Sequence, residues 1–497
     1  MTRRALPDAA ATALLAGPTV LAFYSGGYFA EPRIVAAIVA WALVLALAVA
    51  GPLPLPRSRA GRLALAGLVL LTVWSALSVS WAPLKGPANQ SVQRLVLYTG
   101  ALLVAVGVLR IPRALRAVEP ALAAGISVVI GYGLAGRLLP GIVELARSSS
   151  AGGRLEQPIT YWNAEGALAA MGLVLCARLA GDRSRPGWMR VAAAAAAAPL
   201  GAGVYLSYSR GAIAVALLGL IVLVAASPSR AQVRAAALAL AAAVGAAGLS
   251  AAFPGVASLD GSLGDRTRDG AIALALLAVI AAGAGLATAR SRAAAPAPAP
   301  GWSRRLAPVS AVLLGAVVLG LVIGGLGERP NDAQLAAGAD ARRLTTATSY
   351  RYEYWRVALR AFGREPLTGL GAGGFRVAWL KERPVAELVR DTHSIELEMA
   401  AELGLPGLLA FVLMAGGVGA AARTALRREP EVAAGAAAAT LVWFVHASID
   451  WDWQLPAVSL PAIVLAGALI TVAERGADPG AAAPPAPAAP SRDRSRA

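Results

Sequence analysis

The chain has 497 residues, 57% of them hydrophobic and only 15% charged, with a mean hydropathy of +0.63. A soluble domain carries about 25% charged residues, so a soluble fold of this length would lack the polar surface to cover itself. One cysteine, Cys176, excludes a disulfide scaffold. The net charge of +17 is almost all arginine, set in short clusters between apolar runs. That is the pattern of membrane topology rather than of nucleic-acid binding.

A membrane helix needs about 20 mostly apolar residues. Runs of that kind fall at 10–29, 34–52, 63–81, 93–109, 117–136, 161–180, 190–208, 211–227, 234–253, 270–289, 306–326, 400–422, 431–448 and 455–473. The expected fold is therefore all-α: a polytopic bundle of about 12–14 transmembrane helices. With the N-terminus placed in the cytoplasm, Arg57, Arg59 and Arg62 fall on the cytoplasmic side. So do Arg110, Arg113 and Arg116, then Arg178, Arg183, Arg185 and Arg190, and the alternation continues to Arg423, Arg427 and Arg428. This predicts cytoplasmic N- and C-termini in a multi-pass membrane protein. Residues 293–300, AAAPAPAP, read as a linker, and 475–497 as a disordered cytoplasmic tail.

One connection is far longer than the rest. The expected organisation is 1–326 for spans one to eleven, 327–399 for a large extracytoplasmic loop, and 400–474 for spans twelve to fourteen. A long ordered loop is usually functional, and amphipathic helices are expected in it. Tyr352, Trp355, Leu359 and Phe362 fall at helical spacing on one face, with Glu353, Arg356 and Arg360 on the other. The following Thr368-Gly-Leu-Gly-Ala-Gly-Gly-Phe375 run comes after a helix rather than a strand. It reads as a close-packed turn and not as a nucleotide loop.

Polar groups crowd the outer connections. Arg154 and Glu156 precede Pro158, Tyr161, Trp162 and Asn163; an amide entering a span needs a partner. Arg210 follows Ser209 at a tight turn, where a guanidinium can hold an anion bidentately. His393, one of two histidines, lies where the long loop re-enters the bundle, with Glu396, Glu398 and Glu402 after it. An imidazole near a carboxylate at that boundary has the chemistry of a general base. No metal site is expected, because no cysteine or second histidine gives zinc spacing. Asp450-Trp451-Asp452-Trp453 joins the last two spans; tryptophan can stack on sugar rings and aspartate can bond their hydroxyls. The other histidine, His446, lies in an apolar stretch and reads as structural.

These separated pieces together resemble the bacterial O-antigen ligase and polymerase family of membrane glycan-transfer proteins. The pieces are Asn163, Ser209-Arg210-Gly211, Arg351-Tyr-Glu-Tyr-Trp355, Pro366-Leu-Thr-Gly369-Leu-Gly371, and His393-Ser394 with Leu397, Glu402, Gly404 and Gly407. The family usually has asparagine after the histidine, where this chain has Ser394, and often about twelve spans.

The resemblance implies transfer of a glycan from an undecaprenyl-pyrophosphate carrier to an acceptor hydroxyl at the outer face of the membrane, without a metal or other cofactor. His393 is then the base or an acceptor-orienting group, and Arg210 and Arg351 hold the pyrophosphate. Arg154, Asn163, Arg356, Glu402, Asp450 and Trp451 are expected to contact substrate. The expected partners are a lipid-linked oligosaccharide or polysaccharide donor, a glycan or lipid acceptor and the membrane, with no nucleic acid. A polymerase of the same family is the alternative. A secondary transporter is disfavoured by the near absence of mid-span acidic residues.

Overall fold

The computed structural model describes residues 5–291, 339, 344 and 349–475. All secondary structure among them is helical. The first part comprises α1 (Ala5–Ala22), α2 (Ala30–Ala50), α3 (Arg59–Ser78), α4 (Lys85–Val108), α5 (Pro112–Leu138), α6 (Trp162–Gly181), α7 (Gly187–Leu206), α8 (Arg210–Ala226), α9 (Arg230–Ala252), the short α10 (Pro254–Ala257) and α11 (Leu263–Ala289). The second part comprises α12 (Arg351–Arg364), α13 (Phe375–Glu382), α14 (Ile395–Arg428), α15 (Pro430–Ala447) and α16 (Pro456–Glu474). A helix occupies every expected span except 306–326, which lies outside the described residues, as do 293–300 and 476–497. Ten of these helices are long and apolar enough to cross a membrane, so the chain is a polytopic helical membrane protein.

Burial sorts the helices. On α6 every residue from Asn163 to Gly181 is buried, and the helix packs against α5, α7, α8, α9 and α15. A helix apolar on all sides belongs at the centre, and α6 is the post around which the others stand. On α2, by contrast, Ile38, Leu45 and Val49 are exposed, as suits a helix with lipid on its outer face. Small residues set the closest crossings: a Cβ on Gly67 of α3 would lie 2.3 Å from the backbone nitrogen of Met414 on α14. Only glycine lets those two backbones meet.

Between the two parts of the bundle, α12 and α13 form a small core of their own. Tyr354, Val357, Ala358 and Ala361 pack with Phe375, Ala378 and Trp379 and with Ala401 of α14. The expected apolar stripe of α12 is thus rotated. Leu359 is exposed and Glu353 is buried. Helical spacing identified the helix, but of the bulky stripe at 352, 355, 359 and 362 only Trp355 packs against this core. The buried face is carried instead by Tyr354 and the smaller residues at 357, 358 and 361, which allow α12 to approach α14 closely.

Candidate functional site

At one end of the bundle a cavity of about 770 Å³ opens among connections that are far apart in sequence. Its wall comes from the α1–α2 and α5–α6 connections, the start of α8, the start of α12, the segment before α14, and the α15–α16 connection. Of the residues predicted from sequence, Arg154, Asn163, Arg210, Arg351, His393 and Trp451 line it. Arg356, Glu402 and Asp450 do not.

Asp450 stands directly behind the wall, 1% exposed. Its Oδ2 accepts a hydrogen bond from Arg351 Nη2 at 2.5 Å. Its Oδ1 accepts from the Tyr161 hydroxyl at 2.7 Å and from the Trp451 backbone N–H at 2.9 Å. Asn163 Nδ2 in turn donates to the Tyr161 oxygen at 2.8 Å, which is the partner an amide at the mouth of a span requires. Burial opposes ionisation of Asp450, but the Arg351 guanidinium outweighs it and holds the carboxyl below the usual carboxylate range. Burial alone would lower Arg351, and Asp450 reverses that and raises it. The pair thus keeps the Arg351 guanidinium protonated and fixed at the cavity wall, and it ties α12 to the α15–α16 connection.

His393 is held by its backbone. Its φ is 55°, a left-handed conformation uncommon for a residue with a side chain, and such residues gather at functional sites. The next residue, Ser394, caps α14: its Oγ accepts from the Leu397 N–H at 3.5 Å. Serine and asparagine are nearly equivalent N-caps, so the departure at 394 conserves the local geometry. Nδ1 of His393 faces the Asp391 carbonyl at 3.1 Å. A carbonyl only accepts, so the proton sits on Nδ1 and the lone pair on Nε2. Burial pushes this imidazole down to about 4, against the pull of Asp450 and with the push of Arg351. Glu396, the carboxylate the sequence places nearest, turns away: Ser394 and Ser448 donate to it at 3.1 and 2.7 Å. Asp450 is the carboxylate that acts on the ring.

Arg154 places its guanidinium carbon over the Trp162 ring, 3.5 Å from its centroid. Its Nε and Nη2 donate to the Ala151 and Ser150 carbonyls at 2.6 and 2.7 Å, so the guanidinium is presented in one orientation. Arg210 opens α8, which Ser209 caps through the Ala212 N–H at 3.2 Å. Trp451 packs on Tyr161, with centroids 4.3 Å apart, and approaches Tyr28 and His393 at 5.7 and 6.5 Å.

Glu402 serves the scaffold. Its carboxylate accepts the Gly373 and Phe375 N–H groups at 2.6 and 3.1 Å, closing the glycine turn predicted from sequence. Gly404, with φ 63° and ψ −162°, breaks α14 beside that turn, and the Leu405 N–H reaches the Pro366 carbonyl at 2.7 Å. Glu402→Ala would leave two backbone donors unpaired, at about 1–3 kcal/mol each. The expected result is a melting temperature lowered by several degrees, with Glu402→Gln intermediate, measured on purified protein. An unchanged Tm in both variants would contradict this role. Arg356 pairs with Glu353 at 2.5 Å on the same helix and does not reach the cavity.

Other lining residues were not selected from sequence: Tyr28, Tyr350, Tyr354, Glu387, Arg390 and Asp391. Tyr354 donates to Glu387, and Arg390 reaches the Tyr28 hydroxyl at 3.4 Å. Behind this wall Arg33 donates to the Tyr28 carbonyl at 2.6 Å, and Arg94 lies 3.8 Å from Glu398. The available signal was an arginine at the edge of an apolar run, at 33 and at 94. His446, expected to be structural, is buried with Nδ1 2.5 Å from Asp452 Oδ2.

The protein is thus a multi-pass helical membrane protein with an arginine-lined polar cavity at one end of its bundle. Residues 263–412 match the family model described as O-antigen ligase. No curated protein matches it. Members of that family are enzymes of ligase- or polymerase-type glycan transfer in cell-envelope polysaccharide synthesis. The matched stretch holds Arg351, His393 and Glu402; Arg154, Asn163, Arg210, Asp450 and Trp451 lie outside it.

Proposed function

We propose that this protein transfers a glycan from an undecaprenyl-pyrophosphate carrier to an acceptor hydroxyl, in the cavity and at the outer face of the bacterial cytoplasmic membrane, with both termini in the cytoplasm. The observation that carries the reading is the convergence of Arg154, Arg210, Arg351 and His393 on one cavity from separate connections. The acceptor oxygen attacks the anomeric carbon, and its proton passes to His393 Nε2. The bond from that carbon to the pyrophosphate oxygen breaks, and undecaprenyl pyrophosphate leaves. Arg210 and Arg351 neutralise the charge that develops on the leaving group, as preorganised cations do in a water-poor site. Trp451, packed on Tyr161, offers a ring face for a sugar. Asp450 positions Arg351 and does not itself line the cavity.

Arginine in this role makes a metal ion unnecessary, so the rate with purified protein and lipid-linked donor is expected to be unchanged by EDTA. A rate abolished by EDTA and restored by Mg²⁺ would overturn the metal-free part of the proposal. The acceptor is tested in a deletion strain. Long chains accumulating on the carrier identify a ligase, and single repeat units a polymerase; normal carrier-linked glycans would refute both.

A further inference from the structure

A second polar cavity, of about 390 Å³, lies at the end of the bundle opposite the site. The start of α5, the ends of α6 and α16 and the start of α15 enclose it. Its polar side chains include Arg116, Glu119, Arg178, Asp182, Arg185 and Glu431. Glu119 and Arg178 are only 6% and 4% exposed. Glu119 Oε1 and Arg178 Nε are buried with no hydrogen-bond partner. The remaining valences are partly taken: Arg185 lies 3.3 Å from Asp182 and 3.9 Å from Glu119, and Arg178 lies 3.3 Å from Asp182. Arg178 also donates to the Glu431 carbonyl. Arg475 completes the rim and pairs with Glu429 at 3.6 Å.

The four arginines exceed the three acids on this lining by one positive charge. A buried acceptor and a buried donor left unpaired are each expensive, so the lining suits a guest carrying both an anion and hydrogen-bond donors. The far wall is apolar, and Leu469 is shared with an adjoining apolar cleft of about 280 Å³. That cleft runs along α15 and α16 past Thr440, Phe444 and Ile463 towards Trp453. A polar chamber that shares a wall residue, Leu469, with an apolar cleft suits an amphiphile.

We propose that this end of the bundle binds one glycerophospholipid, with its phosphate among the arginines, a headgroup donor on Glu119, and an acyl chain in the cleft between α15 and α16. The site is separate from the glycan-transfer cavity and holds a lipid that is not consumed.

The test uses the full chain in detergent and measures retention by native mass spectrometry with phosphatidylglycerol, phosphatidylethanolamine or phosphatidylcholine. The first two carry headgroup donors and the third carries none. Retention of the first two several-fold above the third is expected. Arg116→Gln and Glu119→Leu should each reduce the preference. Arg116 is exposed, so its variant is expected to fold even if loss of Glu119 unsettles the helix ends. Equal retention of all three lipids would overturn the proposal. So would full displacement by millimolar inorganic phosphate, since that would mark a free-anion site. A preference unchanged in Arg116→Gln would also overturn it.

Discussion

Arg351→Gln is expected to lower glycan transfer by about 10²–10³-fold, the usual cost of removing one preorganised group that stabilises developing charge. The same substitution strands Asp450, a 1%-exposed carboxylate whose guanidinium partner is 2.5 Å away. An uncompensated buried charge costs about 3–5 kcal/mol, so lost activity alone does not separate catalysis from folding. The double variant Arg351→Gln with Asp450→Asn does. A neutral amide at 450 still accepts from Tyr161 and Trp451, so the double variant should recover most of the Tm lost in the single one. It should recover none of the transfer. Recovery of both would reduce Arg351 to a structural clasp and remove it from the chemistry.

His393→Asn is expected to cost about 10²–10⁴-fold, the range for a positioned general base. Asparagine tolerates the left-handed backbone at φ 55°, so this variant keeps the entry to α14 and isolates the imidazole. The pH dependence gives a second readout. The base must be neutral, and burial holds the ring near 4. The low-substrate rate, kcat/KM, should therefore stay level from pH 8 to about 5 and fall only as the pH passes through about 4. An ordinary histidine would lose half its activity near 6.5. An acid limb centred at 6.5, or one that persists unchanged in the asparagine variant, would argue against His393 as the base.

Much of this was readable in the chain. The apolar runs placed the helices because lipid demands length and polarity that few other environments do. Arg154, Arg210, Arg351 and His393 stood out because each is a polar group set between apolar runs. Other parts were hidden for physical reasons. The carboxylate whose charge acts on His393 is Asp450, more than fifty residues away, while the neighbouring Glu396 is held by two serines. Helical spacing said that α12 is a helix, but its buried face is chosen by how closely α14 approaches. Glu402, expected at the substrate, instead holds the glycine turn through two backbone donors. Periodicity and composition report what one segment prefers, whereas these pairings depend on which segments meet.

The construction of the cavity wall limits how such a protein can be recombined. The stretch that matches the family contributes Arg351 and His393, but Asp450, Arg154 and Arg210 come from elsewhere in the bundle. Transplanting residues 263–412 into a relative would separate a guanidinium from its carboxylate and an imidazole from the charge that tunes it. Changes of sugar or acceptor preference are therefore most readily made by exchanging lining side chains within an intact bundle.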